Sequence, residues 1–146
     1  NVLFDSYFKP IRHTDWWEAE SVNGISPEMV ADAPYINEKA AELYAILSQA
    51  HWIIGYNVDF DLRFLMGSDI ITDEEYNAFR TEDVMIQFAE IYGEYSVYHE
   101  DYKWQKLTTA AAYYDYDWNV KGIEAHNSLA DCFATLFVYH KILSGE

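Results

Sequence analysis

Apolar positions along the chain change period several times, and each change predicts an element. Val2 to Phe8 reads as a strand ended by Lys9-Pro10. Residues 11–24 are mixed and polar, with Trp16-Trp17, and read as loop. Ser26-Pro27-Glu28 looks like a cap followed by Pro at the first helical position, and Pro34 keeps that helix short. Ile36, Ala40, Leu43, Tyr44 and Leu47 fall on one helical face. His51 to Tyr56 is a short, nearly continuous apolar run, as expected of a strand buried on both faces. Asn57 ends it, and Phe60, Phe64 and Leu65 begin a helical pattern, with Phe60 expected to anchor the turn in the core.

Thr72-Asp73-Glu74-Glu75 has the form of a capping box. Asp83 to Tyr92 is helical by its Val84, Phe88, Ile91 spacing, and Leu107, Ala110, Ala111 and Tyr114 mark another helix. The segments 95–104 and 116–125 read as loops. Leu129, Cys132, Phe133, Leu136, Phe137 and His140 predict one side of a final helix. The pattern predicts one α/β domain spanning 1–146, with more helix than strand.

Composition narrows the class. An apolar fraction of 51% with 23% charged residues excludes a disordered chain. Nine basic against 25 acidic residues give a net charge of −16, which argues against a general nucleic-acid coat, since those carry a basic stripe. A local cation site is compatible with that charge, because clustered carboxylates bind hard cations and the ions reverse the local field. The single Cys132 excludes an intrachain disulfide, and packing is its expected role. No apolar run approaches membrane-spanning length and nothing resembles a signal peptide, so the chain reads as cytoplasmic without a membrane partner. The four histidines His13, His51, His99 and His140 form no zinc pattern with the lone Cys132. Lys103, Lys106 and Lys121 form either a local basic edge or scattered solvated charge.

Two short motifs carry the chemistry. In Asn57-Val58-Asp59-Phe60-Asp61, a strand delivers the chain to a turn, and Asp61 falls in the first turn of a helix, where the dipole favours a carboxylate. Ligands of open α/β sheets collect at such strand ends. In His126-Asn127-Ser128-Leu129-Ala130-Asp131, a loop histidine precedes a helical aspartate, and the small Ala130 and Ala134 permit close approach of another element. An imidazole beside a metal site can take a proton from water. Each motif alone reads better as helix capping or solvated charge than as a site.

In order, the two motifs resemble the DEDDh 3′–5′ exonucleases, the DnaQ-like branch of the ribonuclease H-like superfamily. Phe4 to Pro10 looks like that family's third strand, and Asn23-Gly24-Ile25-Ser26 looks like its His-Gly-Ile-Ser loop with Asn for His. Gly55 to Leu65 matches its N-x-x-F-D motif, Trp104-Gln105-Lys106-Leu107 its lead into the following helix, and His126 to Asp131 its H-x-x-x-x-D motif. Asp115 stands where the family favours Gly, with a local backbone consequence expected.

The resemblance implies a ribonuclease H-like mixed sheet flanked by helices and two divalent cations, Mg²⁺ or Mn²⁺, of the kind that sit about 3.5–4 Å apart. It implies Asp61 and Asp131 as metal ligands, His126 as general base, and Asn57, Phe60, Gly24 and Ile25 as substrate-binding or supporting residues. The implied substrate is a single-stranded 3′ end, of DNA in proofreading or repair or of RNA, with a DNA polymerase or another replication or repair subunit as partner. The family's first motif, Asp-x-Glu, has no match in the sequence, and Asp5-Ser6-Tyr7 does not replace it. The expectation is therefore an N-terminally truncated domain lacking its first two strands, inactive alone. The competing expectation is a degenerate, inactive module that binds a protein or a nucleic-acid end.

Overall fold

The computed structural model describes residues 1–12, 14–121 and 127–146. It divides into two compact units: residues 1–51 with 62–79, and residues 52–61 with 80–146.

The first unit is helical. It holds α1 (Trp17–Asn23), α2 (Ala40–Gln49), the later turns of α3 (Val58–Gly67) and α4 (Asp73–Ala78), with two 3₁₀ turns at Glu28–Val30 and Ile36–Lys39. Val30, Leu62, Ile70 and Ile71 are its buried apolar residues. The Thr72 capping box forms as the sequence predicts: the Thr72 hydroxyl accepts from the Glu75 N–H at 3.2 Å, and the Thr72 N–H donates to Glu75 Oε2 at 2.8 Å.

Two expectations fail in this unit. Residues 1–10 form no strand. Phe4 and Phe8 stack with ring centroids 6.0 Å apart, whereas four residues of extended strand would separate them by about 13 Å. The Lys9 N–H bonds to Pro34 O at 2.9 Å rather than entering a ladder. The second failure is the expected loop at 11–24, which contains α1. Glu18 and Glu20 favour its N-terminal turn, and Gly24 ends it at φ 70°, its N–H reaching Glu20 O.

The second unit carries the sheet. β1 (Ile53–Gly55) pairs in parallel with β2 (Thr81–Asp83), in the register Ile53 to Thr81 and Gly55 to Asp83. α5 (Val84–Tyr92) and α7 (Ser128–Ser144) pack on β1, and α6 (Leu107–Tyr113) packs on α7. A core of Val84, Phe88, Ala110, Tyr114 and Val138 lies among them, with Phe88 meeting the Tyr113 ring edge-on at 5.4 Å. The strand at 51–56 is thus real but shorter, and Ile54 is 37% exposed rather than buried on both faces.

Segment 95–104, expected as loop, forms the hairpin β3 (Tyr95–Ser96) and β4 (Asp101–Tyr102). The buried face of α7 is Ala130, Ala134, Thr135 and Val138, while Cys132, Leu136 and His140 are exposed. Small residues win that face because they let α6, with its fully buried Ala110 and Ala111, approach closely. Asp115 adopts φ 58°, the local backbone consequence expected of a non-Gly residue there.

Candidate functional site

The strand-to-helix turn after β1 is built by three residues. A Cβ on Gly55 would lie 2.9 Å from Val58 Cβ, so only glycine lets the chain double back this tightly. Asn57 takes φ 66°, a left-handed conformation that Asn tolerates better than most residues. Val58 is buried and opens α3.

The turn closes onto a carboxylate that sequence reasoning missed. Asp83, at the end of β2, accepts from the Asn57 N–H at 3.0 Å through Oδ1 and from the Val58 N–H at 3.1 Å through Oδ2. Its Oδ1 also accepts from the Met85 N–H at 3.0 Å, capping α5. One side chain therefore satisfies orphan donors at the starts of two helices. An Asp directly before the apolar Val84-Met85 run was the available signal for the α5 cap. Its partnership with Asn57 and Val58 is non-local and has no sequence signature.

Asp61 sits one turn into α3. Burial of its carboxyl, and then the neighbouring Asp83 carboxylate, push its pKa above the usual carboxylate range. Tyr56 is pushed up by the same two causes, burial first, and its hydroxyl donates to Gln105 O at 2.8 Å. Asp131 lies in the first turn of α7, whose cap is the Asn127 side chain accepting from the Leu129 N–H at 2.9 Å. Asp61 and Asp131, 70 positions apart in sequence, line one cavity of about 480 Å³ in the second unit, with Tyr56, Leu107, Ser128 and Cys132 also on its wall. Cys132 is exposed there, not packed as expected.

The other expected residues fall as follows. Phe60 is 65% exposed and does not anchor the turn. With α3 starting at Val58, positions 58 and 62 share the buried face, and 60 and 64 point away from it. Asn57 acts through its backbone conformation and its N–H. Gly24 and Ile25 belong to the first unit, where Ile25 O accepts from the Trp16 indole N–H at 2.7 Å and Asn23 Oδ1 accepts from the Ile25 N–H at 2.9 Å. Asn23 therefore serves as a turn former. His126 and His13 lie outside the described residues. Lys103 pairs with Glu94 at 2.6 Å, so it is not a free basic edge.

The donor set bears on a metal. Asp61 and Asp131 bring two carboxylates to one cavity, and Asp83 is engaged by backbone N–H groups. Among the described residues, no group of three or more His, Cys, Asp or Glu side chains is placed to hold an ion. These residues do not fit a two-ion centre held by protein alone. Their number matches the one or two carboxylates that ordinarily hold a Mg²⁺-like ion, the rest of whose ligands are water and substrate phosphate. Among the described residues, no helix is long and apolar enough to cross a membrane.

Comparison with curated proteins and with solved structures returns no match. A family model described as Exonuclease, of the RNase T type, matches residues 2–139. That match spans nearly the whole chain and accords with the small parallel sheet flanked by helices, and the protein is a member of this exonuclease family, within the DnaQ-like, ribonuclease H-like superfamily.

Proposed function

We propose that the protein is a DEDDh-type 3′–5′ exonuclease acting on single-stranded ends, with Asp61 and Asp131 as metal-ligating carboxylates and His126 as the general base. The observation that carries this reading is the convergence of Asp61 and Asp131 on one cavity from two motifs far apart in sequence. A divalent ion bound there would stabilise charge developing on the phosphate oxygens. Asp61, held above the usual carboxylate range by burial and Asp83, gains from any cation that neutralises the pair. His126 would take the proton of the attacking water, so His126→Ala should abolish most of the trimming. DNA in proofreading or repair is the first substrate of this proposal, RNA the second, and a polymerase-type subunit the partner.

The test is Mg²⁺- or Mn²⁺-dependent trimming of labelled single strands, DNA and RNA in parallel. Loss of trimming in both Asp61→Asn and Asp131→Asn, with folding intact, supports the reading. Metal-independent trimming, or unchanged activity in both variants, refutes it. A second reading, an inactive exonuclease-like module, draws on the shortage of metal-ligating groups among the described residues. Its expected result is oligonucleotide or partner binding with no trimming at any metal concentration.

A further inference from the structure

We infer that the β3–β4 hairpin and the segment leading from it to α6 form an accessory base-stacking platform for single-stranded nucleic acid beside the Asp61–Asp131 cavity. The inference rests on the proposed nuclease reading for its ligand class. Four large aromatic residues within ten positions are solvent-facing: Tyr95 is 53% exposed, Tyr98 90%, Tyr102 37% and Trp104 64%. Tyr95 and Tyr102 brace one another edge-to-face across the hairpin at 5.5 Å, and Tyr98 meets the His99 ring at 4.9 Å. Tyr102 and Trp104 border a depression of about 390 Å³, with His99, Asp101 and Lys103 also on its wall. An exposed aromatic group of this density, set around a concavity, marks an interaction site rather than a core.

Local charge decides how the ligand is held. Lys103 is paired with Glu94 at 2.6 Å, and Glu100 in the turn and Asp101 at the start of β4 add negative charge. This surface does not grip a phosphate backbone. It offers π-faces, and stacking of unpaired bases on aromatic rings is tolerant of sequence. A duplex, with its bases already stacked, cannot use it.

Continuity with the cavity gives the platform its place. Gln105, next to Trp104, accepts through its backbone carbonyl from the Tyr56 hydroxyl, and Tyr56 and Leu107 both line the cavity. Trp104 and Leu107 are three residues apart, so at most about 11 Å of chain separates them. That upper bound is no more than about three nucleotides, taking the duplex rise of roughly 3.4 Å as the shortest step. A strand with its end in the cavity would pass Trp104 a few nucleotides back.

The experiment is fluorescence-anisotropy titration of a labelled oligothymidylate of about twelve nucleotides in EDTA. The proteins are the parent, Trp104→Ala, Trp104→Phe and Tyr98→Ala. Trp104→Ala is expected to weaken binding roughly five-fold or more, with Trp104→Phe restoring most of the loss. Tyr98→Ala, whose high exposure keeps it clear of the core, is expected to weaken binding roughly two-fold or more. The slope of log affinity against log salt should not change, because no phosphate contact is lost. Equal affinity across the four proteins, no binding by the parent, or a changed salt slope overturns the inference. So does a Trp104→Ala effect confined to self-association in sedimentation, which would make the patch a copy-to-copy contact. Adding Mg²⁺ to the same mixtures separates the two ideas. Trimming with no Trp104 effect sinks the platform alone, and a Trp104 effect with no trimming sinks the nuclease reading alone.

Discussion

Replacing Asp83 with Ala removes the acceptor of three backbone N–H groups at once, those of Asn57, Val58 and Met85. Losing an N-cap costs about 1 kcal/mol, within a range of roughly 0.5–2. Two helix starts are affected, and bonds to a charged acceptor sit toward the upper end. A loss of about 3 kcal/mol is expected. At roughly 2–4 °C per kcal/mol for a chain of this size, Tm should fall by about 6–12 °C. Asp83→Asn keeps one acceptor oxygen and turns an amide toward the other donors, so about half that loss is expected. Urea unfolding followed by circular dichroism measures both, provided the slope with urea is unchanged. The same substitutions remove the charge that repels Asp61, so Asp61→Asn should help the Asp83→Ala background less than the parent, a non-additivity of about 0.5 kcal/mol. An Asp83→Ala protein within about 0.5 kcal/mol of the parent would refute the shared cap as a support of the turn.

Asp61→Asn should raise stability in the absence of metal. The folded protein holds Asp61 above its unfolded value, so it binds more protons than the unfolded chain in between, and stability falls as pH rises through that window. The variant's advantage is present at neutral pH and vanishes below about pH 3.9, where both states are protonated. Asp61 lies on the cavity wall and keeps contact with solvent although its carboxyl is partly desolvated, so water screening limits the gain to about 0.5 kcal/mol, or about 1–2 °C in Tm. A parallel melt at pH 3 and pH 7 checks the sign, and a variant less stable than the parent at pH 7 would overturn it. Gly55→Ala should cost about 1–3 kcal/mol, because the new Cβ meets backbone-proximal atoms of Val58 and the turn must open. Thermal unfolding reads that cost, and a neutral result would mean the turn has slack.

What was legible in the sequence was local. The apolar run into Asn57, the helix carrying Asp61, the Thr72 capping box and the helix holding Asp131 each rest on signals within a few residues. Asp83 was not legible as a partner of Asn57, because 26 positions separate them and β2 contributes the polar triplet Thr81-Glu82-Asp83, with no strand-like apolar alternation. The hairpin at 95–102 was hidden because each of its strands has two residues, too short for periodicity. Val2 to Phe8 had the composition of a strand and failed as one because composition does not supply a neighbour for its backbone. On α7, bulky residues marked one face and the packing chose another, since close helix approach rewards alanine.

That choice sets the gauge of the site. Ala130 and Ala134 flank Asp131 on α7 and are 4% and 0% exposed. Their side-chain volume fixes how near α7 can lie to its neighbours, and hence where the Asp131 carboxylate stands on the cavity wall. Adding a methylene or two at either position would slide the helix without altering any residue that lines the cavity. Genetic drift or laboratory selection could therefore tune the span between the two carboxylates from behind, leaving the carboxylates themselves intact. A survey of variants restricted to cavity-lining positions would miss the residues that set its width.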